Sequence, residues 1–206
     1  MRLRSLFFAT VAAAAFATPA AAAKGDWQVR VRALAVMPEV GGTVKILGTA
    51  LPGKFSGTDS VVPEADFTYF FADHWAAELI AGVTQHSVHQ TTAGDIGSVW
   101  LLPPTLTVQY HFNPEGSIRP YVGAGINYTF FFSTRSPLAG IHYKNNLGWA
   151  LQVGVDVPIG DSGYFFNFDV KKLFLATDVK ALGGAVRAKG VDLNPWIIGV
   201  GAGYRF

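Results

Sequence analysis

The carboxyl-terminal stretch Leu193–Phe206 reads LNPWIIGVGAGYRF and alternates between two kinds of residue. Counting back from the terminus, one face is wholly apolar, with aromatic residues at both ends: Phe206, Tyr204, Ala202, Val200, Ile198 and Trp196. A period of two predicts an extended strand. Trp196 and Tyr204 are then about 20 Å apart in height if the strand tilts by about 40°, close to the apolar band of an outer-membrane barrel. A half-buried strand of a soluble barrel is the alternative at this point.

Residues 1–23 have the composition of a secretory signal peptide. Two arginines precede an apolar run over Leu6–Ala17, and Ala21 and Ala23 form an A-x-A cleavage site. We therefore expect a signal peptide over residues 1–23 and a mature barrel over residues 24–206.

The composition of the remaining chain excludes several classes of protein. The full chain has 16 basic and 14 acidic residues, and loss of the two leader arginines leaves the charges balanced. Nucleic-acid binding is not expected, because it requires a basic surplus or stripe. The absence of cysteine excludes a disulfide framework. No apolar run of about 20 residues follows the leader, which excludes a spanning helix.

Eight segments share the period-two alternation, and their connections alternate in length. Short turns rich in Gly, Pro and Asp join segments two to three, four to five and six to seven, while the other connections are long loops. This layout predicts an all-β fold, an eight-stranded antiparallel transmembrane β-barrel with periplasmic turns and termini. The segments are Trp27–Ala35, Ala65–Phe71, Trp75–Val83, Pro104–Phe112, Val122–Phe130, Trp149–Val157, Tyr164–Val170 and Trp196–Phe206. The predicted loops cover about 37–62, 87–102, 132–146 and 177–192.

In this arrangement, aromatic residues fall at two heights, as expected at the two interfaces of a membrane. The lower girdle contains Trp27, Tyr69, Trp75, Tyr110, Tyr164 and Tyr204. The upper girdle contains Tyr128, Trp149, Phe174 and Trp196. The aromatic residues fall at the same two heights on upward and downward strands, and this favours the membrane barrel over the soluble one.

Three motifs resemble the OmpW family of outer-membrane proteins. They are LPPTLTVQYHF at Leu102–Phe112, RPYVGAGINY at Arg119–Tyr128, and the closing NPW and GYRF of the last strand. The resemblance implies an eight-stranded barrel with an apolar upper channel for small hydrophobic molecules. It also implies that the barrel assembly machinery recognises the terminal Phe206.

The inward positions divide into a polar lower set and an apolar upper set. Charges in a narrow lumen must pair, so we expect a polar plug. Its members are Arg30, Arg32, Glu78, His111, Asp156, Asp169 and Arg205. The expected channel lining above it is Leu34, Val36, Ile80, Leu173, Leu175 and Ile197. A solid interior is the alternative, since inward glycines such as Gly82, Gly148 and Gly199 either leave room or admit bulky neighbours.

The predicted extracellular loops carry apolar and basic residues. Leu47, Leu51, Trp100 and Leu101 either cover the mouth as a lid or pack the loops against one another. The basic residues either contact lipopolysaccharide phosphates or are simply solvated. They are Lys45, Lys54, Arg135, Lys144, Lys180, Arg187 and Lys189.

Signals for catalysis are weak. His86, His89 and His142 lie near Ser87 and Ser136, but no G-x-S-x-G or comparable setting accompanies them. His86 and His89 are three apart in a strand and point to opposite faces, which does not suit a shared metal. We expect no enzyme activity, no metal and no cofactor.

Two functions are compatible with the sequence. The first is passive uptake of small hydrophobic molecules, which enter the apolar upper lumen and leave laterally into the bilayer because the plug blocks the way down. The alternative is a non-transporting surface protein, such as a phage or colicin receptor, an adhesion protein or a structural barrel.

Overall fold

The structure is a computed structural model that describes residues 24–51, 55–90, 94–136 and 140–206. The predicted signal peptide over residues 1–23 and the side chain of Lys54 lie outside the described residues. Eight long strands in the described part form the barrel. In chain order they are β1 (Trp27–Met37), β2 (Ser60–Ala72), β3 (Trp75–Gly82), β4 (Thr105–His111), β5 (Arg119–Arg135), β6 (Asn146–Pro158), β7 (Tyr164–Phe174) and β8 (Trp196–Arg205).

Each barrel strand pairs with the next one in the chain, and β8 returns to β1. All of these pairings are antiparallel. The closing register runs from Gln28 opposite Arg205 to Met37 opposite Trp196. The backbone N–H of Phe206 also donates to the carbonyl of Trp27 at 3.0 Å. The predicted eight-stranded antiparallel barrel is therefore confirmed.

The outer face of the barrel is apolar because the outward side of each barrel strand carries mainly apolar residues. Outward residues such as Leu79, Val153 and Phe166 are each more than half exposed. The aromatic residues of the lower girdle meet across strands: the ring centroids of Trp27 and Tyr69 are 4.8 Å apart, and those of Tyr164 and Tyr204 are also 4.8 Å apart. Such cross-strand aromatic pairs stabilise neighbouring strands.

The long connections are not simple loops, and the prediction of loops there is wrong in part. Several of their residues form short strands that extend the barrel wall or pair above it, because Val, Ile and Thr favour extended backbone and the ladders satisfy its hydrogen bonds. One group contains the strands Phe55–Gly57, Thr84–Gln90 and Gly94–Leu102. The last of these three strands pairs with the upper part of β5. A second, five-stranded sheet contains Val44–Ile46, Thr49–Leu51, His142–Tyr143, Ala176–Ala181 and Val186–Asp192.

The helical content of the described residues is a 3-10 turn at Leu182–Gly184. Within the described part, no helix has the length and apolar character needed to cross a membrane.

Candidate functional site

The lower lumen is filled by an ion-pair network centred on two arginines of β1. The Arg30 guanidinium contacts Asp66 Oδ1 at 3.0 Å, Glu78 Oε1 at 3.3 Å and Asp156 Oδ2 at 3.0 Å. It also donates to Thr68 Oγ1 at 2.7 Å. Arg30 and its three carboxylate partners are fully buried, so these charges depend on one another rather than on water.

Arg32 lies one step higher on the same face of β1 and connects the network to the cavity above it. Its Nη2 is 2.7 Å from both Glu64 Oε1 and Asp66 Oδ2, and 3.1 Å from Glu78 Oε1. Lys171 completes the upper layer, with its Nζ 3.1 Å from Glu64 Oε1 and 2.8 Å from Asp169 Oδ1. The ion pairs of this layer join residues of β1, β2, β3 and β7 across the lumen.

The lowest layer of the plug is aromatic as well as charged. His111 Nε2 lies 3.1 Å from Gln109 Oε1, and its ring stacks on Tyr121 with centroids 5.1 Å apart. The Arg205 guanidinium lies over the Phe70 ring at 4.2 Å and donates to a backbone carbonyl of the turn after β4 at 3.3 Å.

The seven predicted plug residues are thus all buried in the lumen. Four further residues that were not predicted from the sequence belong to the same network: Glu64, Asp66, Tyr121 and Lys171. The alternation that placed Arg30 inward would have found them. Asp66 lies between the outward residues Ala65 and Phe67 of segment two, and Glu64 comes directly before Ala65. Lys171 follows Asp169 by two.

Above the charged layer, the lumen opens into an apolar cavity of about 90 Å³. All six residues predicted to line a channel border this cavity: Leu34, Val36, Ile80, Leu173, Leu175 and Ile197. Most of them pack together in one cluster that also includes Ala150. The alternative of a solid interior therefore does not describe the upper half of the barrel.

Polar groups interrupt the apolar lining at two levels. Glu64 and Lys171 form the floor, and Thr84 and His86 lie on the wall of the extracellular extension. His86 Nε2 is 3.1 Å from Thr84 Oγ1, and its Nδ1 is 2.8 Å from the carbonyl of Thr58. Burial lowers the pKa of His86 below its ordinary value, which favours the neutral ring.

Of the predicted lid residues whose side chains the structure describes, Leu101 alone borders the cavity. Leu101 borders the cavity, but Trp100 is on the opposite face of its strand, and Leu47 is 83% exposed and does not border the cavity. The side chain of Leu51 lies outside the described residues. Val40, Val99, Tyr143 and Leu193 border the cavity together with Leu101. Because inward and outward residues alternate, neighbouring residues such as Trp100 and Leu101 cannot both face the mouth.

The inward glycines act mainly by admitting large neighbours. A Cβ at position 199 would lie 2.8 Å from Leu34 Cδ2, and a Cβ at position 154 would overlap the Tyr121 ring. Gly82 borders the cavity, whereas Gly148 and Gly199 do not. Of the two interpretations of these glycines, the admission of bulky side chains therefore describes Gly199, and open space describes Gly82.

The barrel wall beside the cavity has a gap in its backbone pairing. The ladder between β3 and β4 ends where Ile80 opposes Thr105, and pairing resumes higher up where Thr84 opposes Leu101. Pro103 and Pro104 lie in this interval and lack the N–H needed for a ladder. The Asn127 side chain partly replaces the missing bonds, because its Nδ2 donates to the Pro103 carbonyl at 3.1 Å and to Thr105 Oγ1 at 2.8 Å.

Basic residues form a row on the exposed face of the extracellular five-stranded sheet. His142 lies directly opposite Lys180, Lys180 opposite Arg187, and Arg187 opposite Lys45. None of these four side chains has an ion-pair partner among the described residues. Like charges directly opposite each other destabilise a sheet, so this basic row favours an anion nearby.

A closed antiparallel barrel with an apolar outer face, aromatic girdles and a polar interior defines an integral protein of the outer membrane. The OmpW family model matches residues 23–206, and the chain belongs to this family. The predicted family and the predicted location in the cell outer membrane are confirmed. Like other barrels of that membrane, the protein is surrounded by lipid and lipopolysaccharide.

Relatives and a solved structure agree with this assignment. The uncharacterized outer-membrane protein y4mB of Sinorhizobium fredii is 45% identical, over 99% of this chain and 94% of its own. The dibenzothiophene metabolism operon protein PahQ of Pseudomonas aeruginosa is 30% identical, over 92% of this chain and 93% of its own. The crystal structure of OprG from Pseudomonas aeruginosa has a TM-score of 0.83 and 27% identity, covering 89% of this chain and 97% of OprG.

Proposed function

We propose that this protein is a passive channel through which small hydrophobic molecules cross the lipopolysaccharide leaflet. The observation that carries the proposal is the apolar cavity bordered by Leu34, Ile80 and Ile197 directly above a charged floor. Removal of apolar surface from water is favourable by about 25 cal/mol per Å². An apolar solute that reaches the cavity from outside therefore has a driving force to enter it.

The route out of the cavity is lateral in this proposal. The ion-pair network fills the lumen below the cavity, and passage through it would separate buried charges from their partners. The wall at Pro103 borders the cavity and has few backbone hydrogen bonds. A solute that displaces this segment would reach the bilayer core without meeting a charge.

The cavity is too small to bind an aromatic solute without a change of shape. An apolar protein cavity of about 150 Å³ accommodates benzene. The present volume of about 90 Å³ is smaller. Binding of an aromatic solute therefore requires the covering residues or the proline segment to move outward.

One relative's name supports a hydrophobic solute. PahQ is named for an operon of dibenzothiophene metabolism. Dibenzothiophene is an apolar molecule, and the chemistry of the cavity suits that class of compound. Its size again requires an expanded cavity.

The proposal also includes two partners outside the lumen. The basic row on the extracellular sheet would contact lipopolysaccharide phosphates. Phe206 would be the recognition point for the barrel assembly machinery, and its side chain is 57% exposed beside Tyr204, with ring centroids 6.0 Å apart.

Uptake by cells tests the channel function. Ile80→Glu places a charge on the cavity wall and should reduce uptake of an apolar dye such as N-phenyl-1-naphthylamine by about tenfold or more, because burial of an unpaired charge is costly. Lys144→Gln and Arg187→Gln are matched controls on the extracellular side and should leave uptake close to that of the parent. All variants are compared at equal amounts of folded protein in the outer membrane.

Two outcomes would reject the channel. The first is a folded Ile80→Glu variant that transports like the parent, and the second is a deletion strain whose dye uptake is unchanged. Either result would favour the alternative of a non-transporting receptor, adhesion or structural barrel.

A further inference from the structure

The floor of the cavity is charged, and its charges are not balanced. Glu64 and Lys171 border the cavity directly. Lys171 and Arg32, the two cations of the upper layer, together contact four carboxylates. These carboxylates are Glu64, Asp66, Glu78 and Asp169.

When the ions of the lower layer are counted as well, carboxylates still outnumber cations. Arg30 adds one cation, and its partner Asp156 adds one more carboxylate, so three cations are joined to five carboxylates. Arg119 lies opposite Asp156, and Arg205 is 3.7 Å from Asp26 Oδ2, so inclusion of these two arginines and Asp26 gives five cations and six carboxylates. A proton taken up by one carboxyl would reduce the negative excess, but it would not make the floor positive.

Lys171 is the cation that borders the cavity, and it is already engaged. Its Nζ contacts Glu64 Oε1 at 3.1 Å and Asp169 Oδ1 at 2.8 Å, and its side chain is 2% exposed. An ammonium group has three N–H donors, so one donor is left for a further acceptor. A hydroxyl or carbonyl oxygen can use this donor without adding charge, whereas a carboxylate would add a negative charge beside Glu64.

We propose that the cavity selects uncharged apolar solutes, with or without one terminal hydroxyl or carbonyl group, and rejects amphiphilic carboxylates such as fatty acids. Glu64 is the residue that determines this selectivity, because its carboxylate borders the cavity and accepts from both cations of the upper layer. Repulsion between like charges is strong in a site with little water, so the discrimination should be large. This inference rests on the proposed function, since it specifies what the same cavity admits.

Methyl NMR of the intact barrel in phosphocholine nanodiscs tests the selectivity at the site itself. The protein is titrated with 1-decanol and with decanoate at pH 9, where the free acid is ionised. The methyl groups of Ile80 and Ile197 border the cavity. Those of Ile126 and Ile198 are exposed on the outer face and report partition into lipid. At equal lipid partition, decanol should shift the cavity methyls at a concentration at least about tenfold lower than decanoate.

Three variants connect the selectivity to Glu64. Glu64→Gln should reduce the preference for decanol, while Lys171→Gln should increase it. Thr84→Val alters an uncharged polar residue of the same cavity and should leave the preference unchanged. Glu64→Gln is expected to fold, because Arg32 and Lys171 keep other carboxylate partners.

The outcomes separate the two proposals. Equal binding of decanol and decanoate at Ile80 and Ile197, or an unchanged preference in Glu64→Gln, would overturn the selectivity and leave the channel intact. If both solutes shift the lipid-facing methyls but neither shifts the cavity methyls, the cavity takes no such solute and both proposals fail.

Discussion

The buried charges of the lumen are stable only as a group. Glu78 contacts Arg30 at 3.3 Å and Arg32 at 3.1 Å through one oxygen, and it accepts from Thr107 at 3.0 Å through the other. Its position between the two arginines makes it a bridge between the lower and upper layers of the plug. Because desolvation of a charge is costly, removal of one partner should be far more damaging than replacement of a whole pair.

Glu78→Leu tests this dependence at the scale of one residue. The variant leaves two buried arginines with fewer partners and should reduce stability by about 3–5 kcal/mol. The measurement is the temperature at which the folded band is lost in a heat-modifiability gel. Leu79→Ala, on the adjacent outward position, is the control and should have a much smaller effect in detergent. Unchanged melting of Glu78→Leu would show that this carboxylate is hydrated in solution.

At the level of the strand, β1 and β7 each combine a plug segment with a cavity segment. In β1, the inward residues Arg30 and Arg32 are followed by Leu34 and Val36. In β7, Asp169 and Lys171 are followed by Leu173. The change does not fall at one register position, because Lys171 opposes Ile197, and Ile197 opposes Val36 of β1. Lys171 therefore lies beside apolar residues of the neighbouring strands and borders the cavity.

The proline segment before β4 allows a test of lateral exit. The Pro104 carbonyl accepts from Tyr128 N–H of β5 at 3.1 Å, and the Pro103 carbonyl accepts from the Asn127 side chain. From the alternation of an antiparallel ladder we infer that the Pro103 nitrogen is on the β3 side. Pro103→Ala restores a donor toward the gap, and a restored hydrogen bond is worth about 1 kcal/mol. Uptake of the apolar dye should therefore fall several-fold.

Pro104→Ala is the matched control, since it restores a donor toward β5, where the ladder is already present. It should change uptake much less than Pro103→Ala does. Equal uptake by the parent and Pro103→Ala would place the exit elsewhere.

At the scale of the whole molecule, the extracellular sheets raise the barrel wall above the membrane. Some of their inward residues, such as Leu101 and Tyr143, border the cavity, and the basic row lies on the outer face. Val179 and Ala188 face inward, while the adjacent Lys180 and Arg187 face outward. One set of strands therefore has a buried apolar face and an exposed basic face.

The basic row should hold the protein to lipopolysaccharide. Each basic residue near an anionic membrane surface contributes about 1 kcal/mol. Lys45→Gln with Arg187→Gln should therefore weaken the association by about tenfold or more, measured as lipopolysaccharide retained during purification in mild detergent. Lys24→Gln, at the opposite end of the barrel, is the control. Retention by the double variant equal to that of the parent would mean that these side chains are only solvated.

The sequence by itself determined the strands, their inward and outward faces, and the division of the lumen. A side-chain period of two is a local property, so the residues of the plug and of the cavity lining could be assigned without knowledge of the partners. The same period could have added Glu64, Asp66 and Lys171 to the plug. The apolar outer face and the aromatic girdles were visible for the same reason.

The tertiary structure decided which charges meet, how the cavity is covered and where the wall is weak. Arg30 and Asp156 are 126 positions apart, and their contact depends on the stagger of all eight strands around the closed barrel. The cover differs from the predicted lid because the extracellular segments pair into sheets, and pairing fixes which side of each strand faces the mouth. The gap at Pro103 could be located only once the pairing of both neighbouring strands was known. A proline interrupts a barrel wall only where its missing N–H would have donated to a partner strand.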